Sequence, residues 1–470
     1  MDKLKAFRTA DWEVQARMLT DQETVRAVEA WLGSAALADL RELGDGSHLA
    51  GGKKNLIVVP GVMGSVLQST GEGGIWWMDM LRARHKLNAL ALAPNGLDDL
   101  HADACIEPCA IDISYAPMRV AIAQSGQFGG SVQFPYDWRK PLRASAERLR
   151  DLIHQVHSDY GESVHLVGHS MGGLMIRTTL MLYGNELWSK LGKIVFIATP
   201  HYGSTSIAGY LKNHLWGWEQ LAVVGVFLSR ETFRSLWGVV SLLPAPEQIY
   251  PGTRNNETHP CANFDLYDAG AYQLDLDAVA THNLQGALDA ARRFHTDLFD
   301  WHNGLSPSQY GRMLQICGVG RKTLFRLDVK SGWSGSWKDT DKVTHRMPGD
   351  PHREGDGRVP LASAELEKIE LRYIKGEHGS LQNLPVVVDD VLAWITERPL
   401  SLPDSPQGAL STYLSSGTRS SAPNLDGSAA FNLHDDEYDR YRDLPESRIG
   451  ELVARLEAGE LPGIDLVRIL

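Results

Sequence analysis

The chain lacks a membrane-spanning run: its longest apolar candidate, residues 221–228, falls far short of the roughly 20 residues a transmembrane helix needs. Its opening, Met1-Asp2-Lys3-Leu4-Lys5-Ala6-Phe7, leads into mixed polar sequence without an apolar signal core, so export by a standard signal peptide is not expected. Clusters of Lys and Arg are also missing, and 46 basic against 58 acidic side chains give a net charge of -12, which argues against nucleic acid as the main partner. Cysteine is scarce, at four in 470 residues, as expected of a reducing compartment. These features predict a cytoplasmic protein, with peripheral membrane contact left open. The row His101-x-x-x-Cys105-x-x-x-Cys109 has ligand-like spacing, but Pro108 interrupts a helix there and a fourth ligand is missing. Free cysteines, no metal and no cofactor are the expectation.

What is present is an ordinary globular composition, 43% hydrophobic and 22% charged, ample for a large buried core. Within it, the apolar strand Val164-His165-Leu166-Val167 breaks into Gly168-His169-Ser170-Met171-Gly172 and runs into a helical pattern carrying Leu174, Ile176 and Leu180. Gly-x-Ser-x-Gly between strand and helix is the nucleophile-elbow pattern, in which a sharp turn exposes the serine Oγ at a helix N-terminus. A Gly-rich strand-to-helix turn without chemistry is the alternative for the pentapeptide alone.

Reading outward from Ser170 gives an α/β fold, a mostly parallel sheet with helices on both faces. Residues 55–59 form a short strand ending at Pro60-Gly61-Val62-Met63-Gly64-Ser65, either a plain β-turn or the turn that supplies a second oxyanion N–H, with Met63 the candidate donor and Met171 the other. Residues 193–198 read as another parallel strand, and the pattern returns only at 313–319. So long an interval predicts an inserted, largely helical cap over about 205–310. That insert carries Trp216, Trp218, Val223, Val224, Phe227, Leu228, Phe233, Leu236, Trp237, Val240, Leu242 and Leu243. They either glue the cap to the sheet or form a lid over an acyl pocket and an interfacial surface.

Around this α/β domain, spanning 51–400, three further segments are expected. Residues 1–50 read as a helical segment, with Thr20-Asp21-Gln22-Glu23 as a capping box. Residues 401–430, rich in Ser, Pro, Gly, Thr and Ala, read as a flexible linker, and 431–470 as an acidic and helical tail able to dock back or to meet a protein partner.

A serine hydroxyl needs a base and a carboxylate behind it, and in this fold they follow in the order Ser, Asp or Glu, His. Asp356, in Glu354-Gly355-Asp356-Gly357-Arg358-Val359-Pro360, and His378, in Gly376-Glu377-His378-Gly379 between the strand 369–374 and a final apolar helix, meet that order. Glu354 and Asp350 compete for the acid, and His345, His352 and His201 for the base. His378 is preferred because its place between last strand and last helix follows independently from Ser170.

Together with Trp76-Trp77, Pro135-Tyr136-Asp137-Trp138-Arg139 and Thr199-Pro200-His201-Tyr202-Gly203-Ser204, these motifs resemble the lecithin:cholesterol acyltransferase family of α/β-hydrolases, in order from about residue 54 to 397. The resemblance implies Ser170, Asp356 and His378 as a triad, Met63 and Met171 as backbone donors of the oxyanion hole, and Trp76 and Trp77 at the acyl pocket near a mobile lid. Asp137 and Arg139 are expected to tie their loop by charge-assisted hydrogen bonds. Arg358 departs from the small hydroxyl residue usual at its position and sets a cation beside the acid. The resulting expectation is a serine acylhydrolase or acyltransferase on a lipid-like ester. O-acyl transfer to an alcohol, deacylation of a protein or glycolipid, and an inactive binding module remain the other readings.

Overall fold

The structure, a computed structural model, describes residues 3–10, 12–34, 37–38, 40–41, 52–77, 87–212, 229–251, 259–260, 265–274, 276–321, 323–324, 326–328, 342–344 and 355–415. Its centre is a six-stranded sheet built from β1 (Leu56–Val59), β5 (Val132–Gln133), β6 (Val164–His169), β7 (Leu191–Ile197), β8 (Met313–Val319) and β11 (Glu370–Lys375). The spatial order is β11-β8-β7-β6-β1-β5, and each neighbouring pair is parallel. Strands covered on both faces need apolar side chains throughout rather than in alternation. Accordingly β1 and β8 are buried at every position.

One core, on one face of the sheet, joins Leu166, Ile194 and Phe196 to the helices Arg143–Tyr160, Met171–Leu187 and Ala278–Asn303. A second joins Val58, Val167 and Val195 to the helices Ala116–Gln124 and Pro385–Ile395. The 26-residue helix Ala278–Asn303 packs Leu284, Leu288, Ala291 and Leu298 into the first core. It is the last long element of the connection from β7 to β8, within the interval 205–310 expected to be inserted. In that insert the helices Thr205–Lys212, Arg230–Ser235 and Trp237–Val240 bury Leu211, Phe233 and Val240 in the same core, joined by Leu236 between the last two helices and by Leu242 and Leu243 after them. Trp216, Trp218, Val223, Val224, Phe227 and Leu228 lie outside the described residues.

The turn after β1 leads into an antiparallel three-stranded sheet, order β3-β2-β4, from β2 (Ser65–Ser69), β3 (Ile75–Trp77) and β4 (Ile106–Ile111). Cys109 lies on β4 rather than on a helix, and Cys105 precedes that strand. At the N-terminus, the helices Lys3–Arg8, Trp12–Met18 and Gln22–Leu32 dock on the domain, where Phe7, Val28 and Leu32 pack with Ile113, Ala116 and Val120.

Two local readings change. The helix start near residue 20 is capped by Asp21 alone, whose carboxylate accepts from the Thr24 N–H and hydroxyl; Thr20 turns its hydroxyl to the Arg17 carbonyl. The expected linker does not begin at 401. Buried Asp390 accepts from the Ser401 and Leu402 N–H groups, and the helix Pro406–Ser415 packs Ala409 against Cys317, Val319 and Tyr373. Composition hid a helix whose start is signalled by Ser405 before Pro406, the Ser405 hydroxyl accepting from the Gly408 N–H. Residues 416–470 lie outside the described part. Among the described residues no helix is long and apolar enough to cross a membrane.

Candidate active site

Ser170 sits between β6 and the helix Met171–Leu187 with φ 52° and ψ -126°, a left-handed conformation that strains a side chain bearing a Cβ. Close packing enforces it. A Cβ on Gly168 would lie 2.7 Å from the Gly173 nitrogen, and one on Gly172 would lie 2.2 Å from the Val59 carbonyl oxygen. The elbow helix is thereby pressed against the end of β1, which brings the turn 60–64 beside the serine. Ser170 is 4% exposed, and its N–H is held by the Ile197 carbonyl.

Across from it, the loop after β11 presents His378, whose Nε2 is 2.9 Å from Ser170 Oγ and whose Nδ1 is 2.8 Å from Asp356 Oδ2. The other Asp356 oxygen, Oδ1, accepts the N–H groups of Arg358 at 2.9 Å and Val359 at 2.7 Å. Two donors on that oxygen fix the direction of the carboxylate and leave Oδ2 to the imidazole. The sharp loop depends on Gly355 at φ 124° and Gly357 at φ 97°, backbone angles that favour glycine. The Asp356 carbonyl also accepts the His378 N–H at 3.0 Å, so the Asp356 and His378 loops are stitched together by main chain as well.

The competitors separate. His201 is buried, bonded through Nε2 to Gln315 and through Nδ1 to Arg177; burial and the Arg177 charge hold its pKa well below the usual range. Asp350, Glu354, His345 and His352 lie outside the described residues.

Met63 has φ 63°, and its carbonyl accepts the Trp77 indole N–H at 2.8 Å. That bond, with Gly64 N–H donating to the Gly61 carbonyl at 3.1 Å, fixes the turn beside Ser170. Met171 is the first residue of the elbow helix, where backbone N–H groups have no intrahelical acceptor. Trp76 and Trp77 are each 3% exposed, and Trp77 packs edge-on to Trp138 with centroids 5.1 Å apart. The structure thus sets Trp77 behind the turn.

Asp137 and Arg139 form the fork their spacing suggests: Arg139 Nε and Nη2 donate to the two Asp137 oxygens at 2.9 and 2.7 Å. Asp99 adds a second carboxylate at 2.9 Å, and Arg139 Nη1 donates to the Leu90 carbonyl. Gly238 of the insert donates its N–H to the Arg139 carbonyl, so this buried loop anchors the insert. The Arg358 guanidinium donates to the Tyr210 hydroxyl, on the helix Thr205–Lys212, at 3.2 Å. Beside it, burial raises the pKa of Glu377, and the Arg358 charge works against that rise.

Sequence reasoning missed Tyr115 and the role of His169. The Tyr115 hydroxyl is 2.7 Å from His169 Nδ1, and His169 Nε2 is 3.0 Å from the His378 carbonyl oxygen. His169 carried a signal, standing in the elbow pentapeptide itself; Tyr115 carried none, because only tertiary packing brings its helix to the site.

Among known proteins, the family model for lecithin:cholesterol acyltransferase matches residues 121–259, a segment containing Ser170 and Asp137 but not Met63, Asp356 or His378. Phospholipase A(1) LCAT3 of Arabidopsis thaliana is 25% identical over 269 residues, 51% of this chain and 59% of that protein. Phosphatidylcholine-sterol acyltransferase of Gallus gallus is 33% identical over 75 residues, 15% of this chain and 18% of that one. The chain thus spans less than two thirds of the length of either relative. Of solved structures, a chain of the Tle4–Tli4 complex aligns with 73% of this chain and 99% of its own at 16% identity, with a TM-score of 0.46.

Proposed function

We propose that this chain is a member of the lecithin:cholesterol acyltransferase family, whose model matches residues 121–259, and a serine acylhydrolase of lipid-like esters that works through Ser170, His378 and Asp356. The observation that carries the reading is the continuous hydrogen-bonded row from Ser170 Oγ through His378 to Asp356. A neutral serine is a weak nucleophile; His378 Nε2 takes its proton as Oγ attacks the acyl carbonyl, and Asp356 holds the Nδ1–H tautomer and stabilises the imidazolium. The Met63 and Met171 N–H groups bind the oxyanion. His378 then protonates the departing alcohol, leaving an acyl-Ser170 ester. In the second half His378 takes a proton from water, the hydroxide oxygen bonds to the acyl carbon, the acid leaves, and Ser170 regains its proton. No cofactor or metal enters this scheme.

Water is the acceptor proposed here. An alcohol in its place would give O-acyl transfer, and a protein or glycolipid acyl group could replace the lipid donor, since one triad serves all three. Contact with a lipid surface is part of the reading, supported by Leu97 and Leu100, before β4, and Val279, at the start of the helix Ala278–Asn303, which are 47%, 54% and 67% exposed. Leu100 also lines a cavity of about 350 Å³ against the helix Arg230–Ser235. A cytoplasmic location is supported by Cys105, Cys109 and Cys317, each unpaired. The tail beyond 431 remains a proposed site for a protein partner.

Ser170→Ala is expected to lower ester turnover by about four to six orders of magnitude. Near-normal hydrolysis by that variant would overturn the assignment. A lipid comparison of phospholipid membranes treated with active protein and with Ser170→Ala, with and without an added alcohol, names donor and acceptor together. Co-sedimentation with phospholipid vesicles tests the surface contact: protein that stays in the supernatant removes it.

A further inference from the structure

Between the turn that carries Met63 and the loop that carries His378 lies a buried polar row. Gly61 donates its N–H to the Tyr115 hydroxyl oxygen at 2.8 Å, that hydroxyl meets His169 Nδ1 at 2.7 Å, and His169 Nε2 meets the His378 carbonyl oxygen at 3.0 Å. The direction of each proton can be assigned. A carbonyl oxygen only accepts, so His169 must carry its proton on Nε2. Its Nδ1 is then an acceptor provided the ring is neutral. Burial, with the nearby His378 adding to it, pushes the His169 pKa down to about 3, so neutrality holds at any working pH. Tyr115 therefore donates its hydroxyl proton to His169 and keeps its oxygen for Gly61. Burial also raises the Tyr115 pKa, which keeps that proton in place.

From this geometry we infer that Tyr115 and His169 are positioning residues that hold the oxyanion turn and the catalytic base in mutual register. The inference rests on the proposed triad and deepens it. Neither side chain touches the reacting atoms; one acts through the Gly61 peptide and the other through the His378 main chain. Two observations favour register over mere filling. A Cβ at Gly61 would come within 3.0 Å of the Ser170 Cβ and 3.3 Å of His169 Nδ1, so the turn has no slack beside the serine. Asn383, just beyond His378, donates to the Ser114 carbonyl at 2.8 Å and accepts the Met118 N–H at 3.3 Å, so the segment bearing Tyr115 is tied to the histidine loop a second time. Buried polar rows gain value from complete satisfaction, and this one has a partner at every step.

The test is a set of variants that separate the two links. Tyr115→Phe keeps the ring and removes the hydroxyl. His169→Gln keeps an N–H for the His378 carbonyl and loses the tyrosine link, His169→Asn does the reverse, and His169→Leu loses both. Small displacements of catalytic groups cost turnover rather than binding, so Tyr115→Phe should lower kcat about 10- to 100-fold with KM within about twofold. His169→Leu should lose more than either amide variant. In the doubly substituted Tyr115→Phe, His169→Leu protein the losses should be smaller than the product of the single ones, because each change breaks the same row. Unchanged kcat in Tyr115→Phe, or losses that multiply, would overturn the inference. If Tyr115→Phe does not fold, the ranking of His169→Gln and His169→Asn above His169→Leu decides it, and equal activity of the three refutes it. Ser170→Ala run alongside keeps the readings apart: an active Ser170→Ala sinks the triad itself, whereas an inactive one with wild-type Tyr115→Phe sinks only the positioning row.

Discussion

Asp356 illustrates how much of the proposed chemistry is decided by which atom faces which. Its Oδ1 is taken by two backbone donors and its Oδ2 by the imidazole. In Asp356→Asn the amide carbonyl must occupy the Oδ1 position, since an NH2 there would face two N–H groups. The NH2 is then forced against His378 Nδ1, which must become the acceptor, so the proton moves to Nε2 and the base can no longer accept from Ser170. Turnover should fall by about four orders of magnitude with the fold intact, the cost expected of a wrong tautomer. A loss of less than about tenfold in a folded Asp356→Asn protein would contradict the assigned orientation.

The elbow is held by the contact of one helix with one strand end. Gly172 meets the Val59 and Pro60 carbonyl oxygens so closely that a Cβ would sit 2.2 and 2.5 Å away, and backbone cannot yield as a flexible side chain would. Gly172→Ala should cost about 2–3 kcal/mol in urea unfolding and disable turnover by displacing the turn 60–64. Gly161→Ala, at a helix C-terminus with φ 65° and open space around it, should cost only about 1 kcal/mol and leave turnover unchanged. Equal effects of the two on activity would refute the packing argument. The same contrast explains what could be read in advance. β1, β6, β7 and β8 are legible because a sheet buried on both faces writes itself as apolar runs, β11 because its edge position leaves a mixed but strand-like pattern, and the Ser170, Asp356 and His378 loops because they follow those strands in fixed order. β5, two residues long, and the β2–β4 sheet leave no comparable run. The helix Pro406–Ser415 was lost to its Ser- and Pro-rich composition, and Tyr115 to the absence of any local pattern around a residue placed by tertiary contacts alone.

Taken together, the buried histidines set an acid limit on the folded molecule. His169 and His295 are pushed from 6.5 to about 3 and about 4, and His201 well below 6.5, in each case chiefly by burial. The folded values lie below the unfolded one, so the unfolded chain binds more protons as pH falls through about 6.5. Stability is therefore full above that pH and lost below it, by about 1.4 kcal/mol per pH unit for each such histidine until its folded pKa is reached. Urea unfolding between pH 7.5 and 4.5 should show this steepening loss, and a flat profile would contradict the neutral assignment that the Tyr115–His169 row requires. The most direct test of the account as a whole is mass-spectrometric mapping of a fluorophosphonate adduct on the intact, folded protein. The account predicts a single modified residue, Ser170, labelled rapidly in the wild type and far more slowly in Asp356→Asn and His378→Ala. A folded protein left unlabelled while a control hydrolase reacts, or one labelled elsewhere, would contradict it.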